Sequence, residues 1–455
     1  MRLERCILCL AIAVVGASIT EKLTPDAVEA DINSDQDYGN RAFGTPGYNA
    51  SVQFILERAV GRFGKQMDTT VQTFTHPYSD IQHFALIGPD SKEVVAIPFQ
   101  YSDPTPPAGL TGELIEPPAG KDACFDEKWS IIDAAGKVVL VDPRACSYMI
   151  QLALARAHGA VAAVVYYFEP GGRMPPEVSL TAENIGKLLP AGLTTLDVGT
   201  AWKARRAAGE TLHATLIVQS SIEERESWNI IVETKEGDPN NVVMLGAHLD
   251  SVRVGSGIND DGSGSAGLLE LMGSFQRFHG FQNKVRFAWW GAEEAGLVGS
   301  KYYTSHLTDA AADKIRFYFN YDMIASPNAT YAVFANDDTD MIGAQVLLDY
   351  FKSKGLDTFI SEFGKGGSDW QPFIDLGIPA SGTHAGSSIN RDPCYHRACD
   401  TLDNINMTAI THHTKAAGRV AAQFALSLQG IPSRQKKPQA GLTTDTASLT
   451  RALEI

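Results

Sequence analysis

Positive charge is scarce in this sequence. Its 38 Lys and Arg face 53 Asp and Glu, a net charge of −15 over 455 residues. Phosphate binding needs a basic stripe, so nucleic acid is not expected as a partner, and an anionic membrane surface is disfavoured on the same ground. Long apolar runs are missing too. Beyond the first 17 residues no segment approaches transmembrane length, so no membrane partner is expected. Cysteine is sparse, with 6 in the whole chain, and internal repeats are absent. What remains is ordinary for a globular protein: 44% apolar and 20% charged residues. The length suits about two or three domains better than one core.

The first residues read as an export signal. Arg2 and Arg5 precede the apolar stretch 6–15, and the small residues Val15-Gly16-Ala17 follow, which predicts a signal peptide over 1–17. As an anchor the stretch is too short to span a bilayer comfortably. Cys6 and Cys9 would leave with it. Cys124, Cys146, Cys394 and Cys399 remain, an even count for an oxidising compartment, and proximity pairs them as Cys124–Cys146 and Cys394–Cys399. Sequons at Asn49, Asn328 and Asn406 fit a secretory route with glycosylation. The expected destination is extracellular, with a vacuolar or lysosomal lumen as the alternative.

Residues 18–45 are polar and read as a propeptide or an N-terminal arm. Residues 48–63 predict an amphipathic helix with Val52, Ile55, Leu56, Ala59 and Val60 on one face, and 70–74 a strand. From 91 to 221 the texture changes to short β-rich runs between proline-rich turns, the pattern of a small inserted domain. Strands and helices then alternate: strands at 227–234, 242–245, 285–290 and 316–322, helices after Ser263, from about 295 and near 343–353. The fold class is therefore α/β, a mixed central sheet covered by helices on both faces, built from 46–90 and 222–430. A last helix over 408–428 carries His412 and His413, read as solvated. Residues 431–455 have no period and read as a disordered tail.

The chemistry collects where strands end. His248, Asp250, Asp260 and Asp261 follow the apolar run 242–245. Glu293 and Glu294 follow 285–290, Asp322 closes 316–322, and His396 lies between Cys394 and Cys399. One acid after a strand is commonly a helix cap. Four such features in the crevice beyond the carboxyl ends of the strands point to a ligand site. Imidazole and carboxylate are zinc ligands. His248, Asp260, Glu294, Asp322 and His396 supply five donors, enough for two Zn2+ ions sharing one carboxylate. Asp250, two residues from His248, is placed to orient its ring, and Glu293, left over beside a ligand, suits a general base.

Five segments in order then carry a resemblance: Gly246-Ala-His-Leu-Asp-Ser, Gly257-Ile-Asn-Asp-Asp-Gly-Ser-Gly, Trp290-Gly-Ala-Glu-Glu-Ala-Gly, Asn320-Tyr-Asp-Met and Cys394-Tyr-His-Arg-Ala-Cys-Asp. They resemble the motifs of the secreted di-zinc aminopeptidases of the leucine type. The block 91–221 resembles a protease-associated domain. The resemblance implies that His248 and Asp322 hold one zinc, that Glu294 and His396 hold the other, and that Asp260 bridges them. It implies that Glu293 takes a proton from the attacking water and returns it to the leaving amine, and that Tyr395 supports the oxyanion. It also implies a cis peptide at Asp260-Asp261. One departure stands out: Gly367 occupies the position where some members carry an arginine for the substrate backbone. The side-chain pocket is expected near Phe363, Trp370 and Ile389, and His384 is read as structural. The function expected is a monomeric metallo-aminopeptidase acting on peptides, with preference for apolar first residues such as Leu. The alternative is a related di-zinc carboxypeptidase or dipeptidase. A glutaminyl cyclase-like acyltransferase or a non-catalytic receptor-like relative is disfavoured by the complete donor set.

Overall fold

The computed structural model describes residues 39–62, 64–166, 175, 178–364 and 367–435. The expected signal peptide and most of the arm and of the tail lie outside the described residues. The chain forms two compact units, one of residues 39–76 and 226–435, the other of 77–225. The division falls at Pro77 and Arg225, whereas the change of texture in the sequence falls at 91 and 221. Two long paired strands, Met67–Ile87 and His213–Thr234, run unbroken through these points, so the boundaries of texture and of packing do not coincide.

The first unit is built on a mixed sheet. Its strands are the end of β1 (His213–Thr234), β2 (Asp238–His248), β3 (Asn283–Trp290), β4 (Ile315–Tyr321), β5 (Tyr331–Phe334), β6 (Thr358–Ser361) and β7 (Ala380–His384). They lie in the order β6-β5-β7-β4-β2-β3-β1. β3, β2, β4 and β7 are parallel neighbours, while β1 and β5 pair antiparallel with β3 and β7. The period of 2 sends alternate side chains to opposite faces. Val243, Leu245, Val285, Phe287, Trp289, Phe317 and Phe319 join one core with the helices Ser263–Phe275, Asp340–Ser353 and Met407–Leu426. Met244, Ala288, Trp290 and Tyr318 join a second core with Tyr303 and Phe373, from helices Val298–Ser305 and Gln371–Asp375. Both faces are covered, which is why these strands read as continuous apolar runs.

Two details differ from the sequence reading. The helix expected over 48–63 is Pro46–Leu56, with Pro46 in its first turn and Thr45 as its cap, followed by a π-turn at Glu57–Arg62. The wider turn shifts the register, so Ala59 is buried but Val60 is 59% exposed. His413 is not solvated. It lies three residues after Ile410 and four before Ala417, on the buried stripe of Met407–Leu426. Its Nε2 meets Thr330 O at 3.0 Å, its ring stacks on Tyr331, and burial pulls its pKa down to about 3.

The second unit has its own sheet. Leu110–Ile115, Val138–Val141, Ala162–Tyr166 and Ala191–Thr194 are parallel neighbours, Ala96–Gln100 follows antiparallel, and the short Val178–Ser179 pairs in parallel at its edge. Helices Tyr148–Ala157 and Leu196–Ala207 contribute to separate cores, around Leu152 and Trp202. Cys124 and Cys146 are disulfide-bonded here, and Cys394 and Cys399 in the first unit.

Candidate metal centre

Because β3, β2 and β4 run parallel, their last residues reach one edge of the sheet together. β2 ends on His248, β3 leads through Gly291-Ala292 to Glu293 and Glu294, and β4 leads to Asp322. The disulfide loop adds His396. Asp260 sits between the two imidazoles, with Oδ1 at 3.1 Å from His248 Nε2 and Oδ2 at 3.0 Å from His396 Nε2. Asp322 Oδ1 lies 3.7 Å from His248 Nε2, and Glu294 Oε2 lies 3.3 Å from His396 Nε2. Glu293 Oε2 is 4.0 Å from His248 Nε2. All five expected donors and the expected base are thus brought into one crevice.

A framework of buried carboxylates fixes this arrangement. Asp250 does more than orient a ring. Its oxygens accept from the main-chain N–H groups of Glu293 and Glu294 at 3.0 and 3.2 Å, while His248 Nδ1 faces the Asp250 carbonyl at 3.1 Å. Asp261, joined to Asp260 by a cis peptide, accepts from the main chain of His248, Gly264 and Met323 at 3.1, 2.9 and 3.1 Å. Asp400 accepts from the N–H groups of Asn259 and Asp260, tying the disulfide loop to the central donor. A hydrogen-bond relay ends on Asp322. Trp290 Nε1 donates to the Tyr318 hydroxyl, which donates to Asn320 Oδ1. Asn320 Nδ2 donates to Ser368 Oγ, which donates to Asp322 Oδ2 at 2.6 Å. Gly246 leaves room for it, since a Cβ there would stand 2.2 Å from the Tyr318 oxygen. The sequence reading did not single out Asp400, Asn320 or the support given by Asp261 and Ser368, although all lie in or beside the quoted motifs.

The charges do not balance. Burial pushes Glu293 well up from its ordinary pKa and raises Glu294. Burial alone would pull His248 and His396 down, but the surrounding carboxylates outweigh it and raise both. Glu294 Oε1 and Asp322 Oδ1 are buried with no hydrogen-bond partner. A buried acidic cluster with orphaned oxygens turned among imidazoles calls for cations, and its oxygen and nitrogen donors fit zinc. Single donor atoms of His248, Asp260 and Glu294 lie within 4.8 Å of one another, as do those of His248, Asp261 and Asp322. Asp261 is already engaged with three N–H groups, which leaves Asp322 as the free partner of His248.

The crevice opens into a cavity of about 270 Å³ walled by Met323, Phe334, Gly367, Trp370, His384 and Tyr395. Phe334 stacks on Phe363 and packs against Trp370, so an aromatic wall stands beside the donors. Ile389, expected at this pocket, is 58% exposed and is not part of its lining. His384 lines the cavity, its Nδ1 held at 2.8 Å from the Asp322 carbonyl. Desolvation and the nearby carboxylates raise the Tyr395 pKa, keeping its proton in place. Among the described residues lining the cavity there is no Lys or Arg.

Comparison with known proteins agrees with this geometry. Residues 229–421 match peptidase family M28, and residues 110–202 match the PA domain. Leucine aminopeptidase 2 of Trichophyton rubrum is 34% identical over 424 residues, covering 87% of this chain and 82% of that protein. Aminopeptidase Y of Saccharomyces cerevisiae is 33% identical over 420 residues, 88% and 77% of the two chains. Among solved structures, an aminopeptidase from Aneurinibacillus sp. strain AM-1 superposes with a TM-score of 0.74 at 24% identity, over 92% of this chain and 97% of that one. A zinc aminopeptidase from Bacillus subtilis gives 0.70 at 23%, over 95% and 98%. These two share the fold.

Proposed function

Because the chain belongs to peptidase family M28 and is a zinc-dependent aminopeptidase, we propose that it is a secreted enzyme that removes apolar N-terminal residues from peptides at a two-zinc centre. The observation that carries the count of two is Asp260, which turns one oxygen toward each histidine. In this reading His248 and Asp322 hold one ion, Glu294 and His396 the other, and Asp260 both. Zinc bound there would polarise the scissile carbonyl and make a water acidic enough to attack at neutral pH. Glu293 is the carboxylate suited to take a proton from the attacking water and to return it to the departing amine. Its burial supports both tasks, since a raised pKa suits a group that must accept and then give. The Tyr395 hydroxyl donates to the oxyanion. The wall of Met323, Phe334 and Trp370 receives the first side chain, which favours apolar residues such as Leu. With Gly367 in place of an arginine, the substrate's positive α-amine is met by carboxylates of the crevice, Glu293 among them.

A carboxypeptidase would need a cation for the substrate's terminal carboxylate, and the described lining offers none, which favours the aminopeptidase. The test is hydrolysis of leucine-p-nitroanilide and of its N-acetylated form, before and after chelation. Cleavage of only the free amine, lost on chelation and restored by two equivalents of zinc, is the expected result. Cleavage of C-terminal residues instead would overturn it.

A further inference from the structure

Residues 18–45 read, on sequence, as a propeptide or an N-terminal arm. Arg41 is placed otherwise. It is 3% exposed, and its guanidinium is directed at the main chain of a single loop. Nε donates to Leu249 O at 3.2 Å, Nη1 to Gly257 O at 2.9 Å and to Ser256 O, and Nη2 to Asp250 O at 3.4 Å. The main chain joins in. Arg41 N donates to Ser251 Oγ at 2.9 Å, and Ser251 N donates to Arg41 O at 3.2 Å. This loop, 249–257, connects His248 to the turn that carries Asp260. Arg41 therefore grips both ends of the segment between two metal donors. Only a planar fork of five N–H donors can gather four carbonyls in this way. None of those acceptors is a carboxylate. The charge is answered through space by Asp400, Asp261, Asp250 and Asp260, the residues that form or support the donor cluster.

We propose that Arg41 is a positioning residue of the metal centre: it staples the loop between His248 and Asp260 and is retained when the chain matures. A loop held in its bound geometry does not have to be ordered at the moment of metal binding. This rests on the metal-centre reading above, but it concerns a residue outside both the crevice and the family motifs quoted from the sequence.

Two measurements test it. The first is N-terminal sequencing of the active, mature protein. A chain that begins at or before Arg41 is expected, and an active chain that begins beyond it overturns the proposal without any variant having to fold. The second compares wild type, R41M and R41K by chelator competition for zinc and by the melting of the metal-free and zinc-loaded forms. R41M should bind zinc about 10–100-fold more weakly, as for other supports of metal ligands. R41K should fall between, since an ammonium can still donate to one or two of the carbonyls but loses the fork. A merely structural role would lower the metal-free Tm and leave zinc affinity unchanged. R41M binding zinc as tightly as wild type therefore refutes the staple alone. A wild-type chain that takes up no zinc refutes the metal centre and the staple together.

Discussion

Replacing Ser368 by Ala removes one oxygen that is 0% exposed and touches no solvent. Two bonds go with it: the 2.6 Å bond that Ser368 donates to Asp322, and the 2.9 Å bond that it accepts from Asn320. A hydrogen bond to a charged group contributes about 1.5–3 kcal/mol, and stranding the buried Asn320 N–H costs about 1–3 kcal/mol more. Members of a relay polarise one another, so the two losses do not simply add. A net destabilisation of about 2–4 kcal/mol is expected, which lowers Tm by roughly 4–16 °C for a unit of this size. The effect should reach the metal as well, because Asp322 is left free to rotate away from His248. Zinc affinity should fall about 10–100-fold. Calorimetry of the metal-free protein and chelator competition read the two effects separately. Y318F, which breaks the relay two bonds further from Asp322, should lower Tm with a smaller loss of zinc. If S368A melts like wild type and keeps its zinc affinity, the relay does not support Asp322 and the reasoning fails.

Glu293→Gln should retain its zinc but lose about 10²–10⁴-fold in kcat, the usual contribution of a general base; loss of metal on the same substitution would make Glu293 a ligand instead. Burial pushes the Asp369 carboxyl up to about 7, and neither oxygen has a partner in hydrogen-bonding geometry. A carboxyl with a raised folded pKa binds more protons folded than unfolded, so its stabilising contribution is full below about 4 and is lost as pH rises toward 7. The metal-free D369N variant should therefore gain stability relative to wild type as pH rises across that window, and a difference in Tm that is constant with pH would count against the assignment. Of the three sequons, Asn406 is half-buried and doubly engaged: its Oδ1 caps the helix Met407–Leu426 through Thr408 N and Ala409 N, and its Nδ2 donates to Pro327 O, whereas the Asn328 Nδ2 donates only to Asn390 O at an exposed site. Peptide mapping should find glycans at the exposed Asn49 and Asn328 and not at Asn406, and N406A should cost about 1 kcal/mol as a lost helix cap.

Three of the donors were legible because they follow apolar runs that end in a charge, and parallel strands bring such ends together. His248, Glu294 and Asp322 all show this pattern. The supports were not legible, for a physical reason. Arg41, Asp261 and Asp400 act on main-chain N–H and C=O groups, which every residue carries, so no pattern marks their targets. Arg41 acts across 208 to 216 positions and Asp400 across about 140. Asp250 was noticed, but its chief targets, the N–H groups of Glu293 and Glu294, lie on a different strand end. The wrong reading of His413 was avoidable, since its spacing from Ile410 and Ala417 places it on the buried face. Val60 was not, because a π-turn leaves no mark on a 3.6-residue period.

His248, Glu294 and Asp322 come from the ends of β2, β3 and β4, and Asp260 and His396 from loops, while the aromatic wall comes from β5 and from the segments after β6, beyond β7 in the sheet. Reactivity and taste for substrate are therefore inherited on separate parts of the chain. Phe334 and Phe363 can drift among side chains of other sizes without moving an oxygen of Asp260 or Asp322, whereas Trp370 is tied more closely to the chemistry, two residues from the Ser368 that holds Asp322. A lineage built on this plan can change its diet many times while its chemistry stays the same.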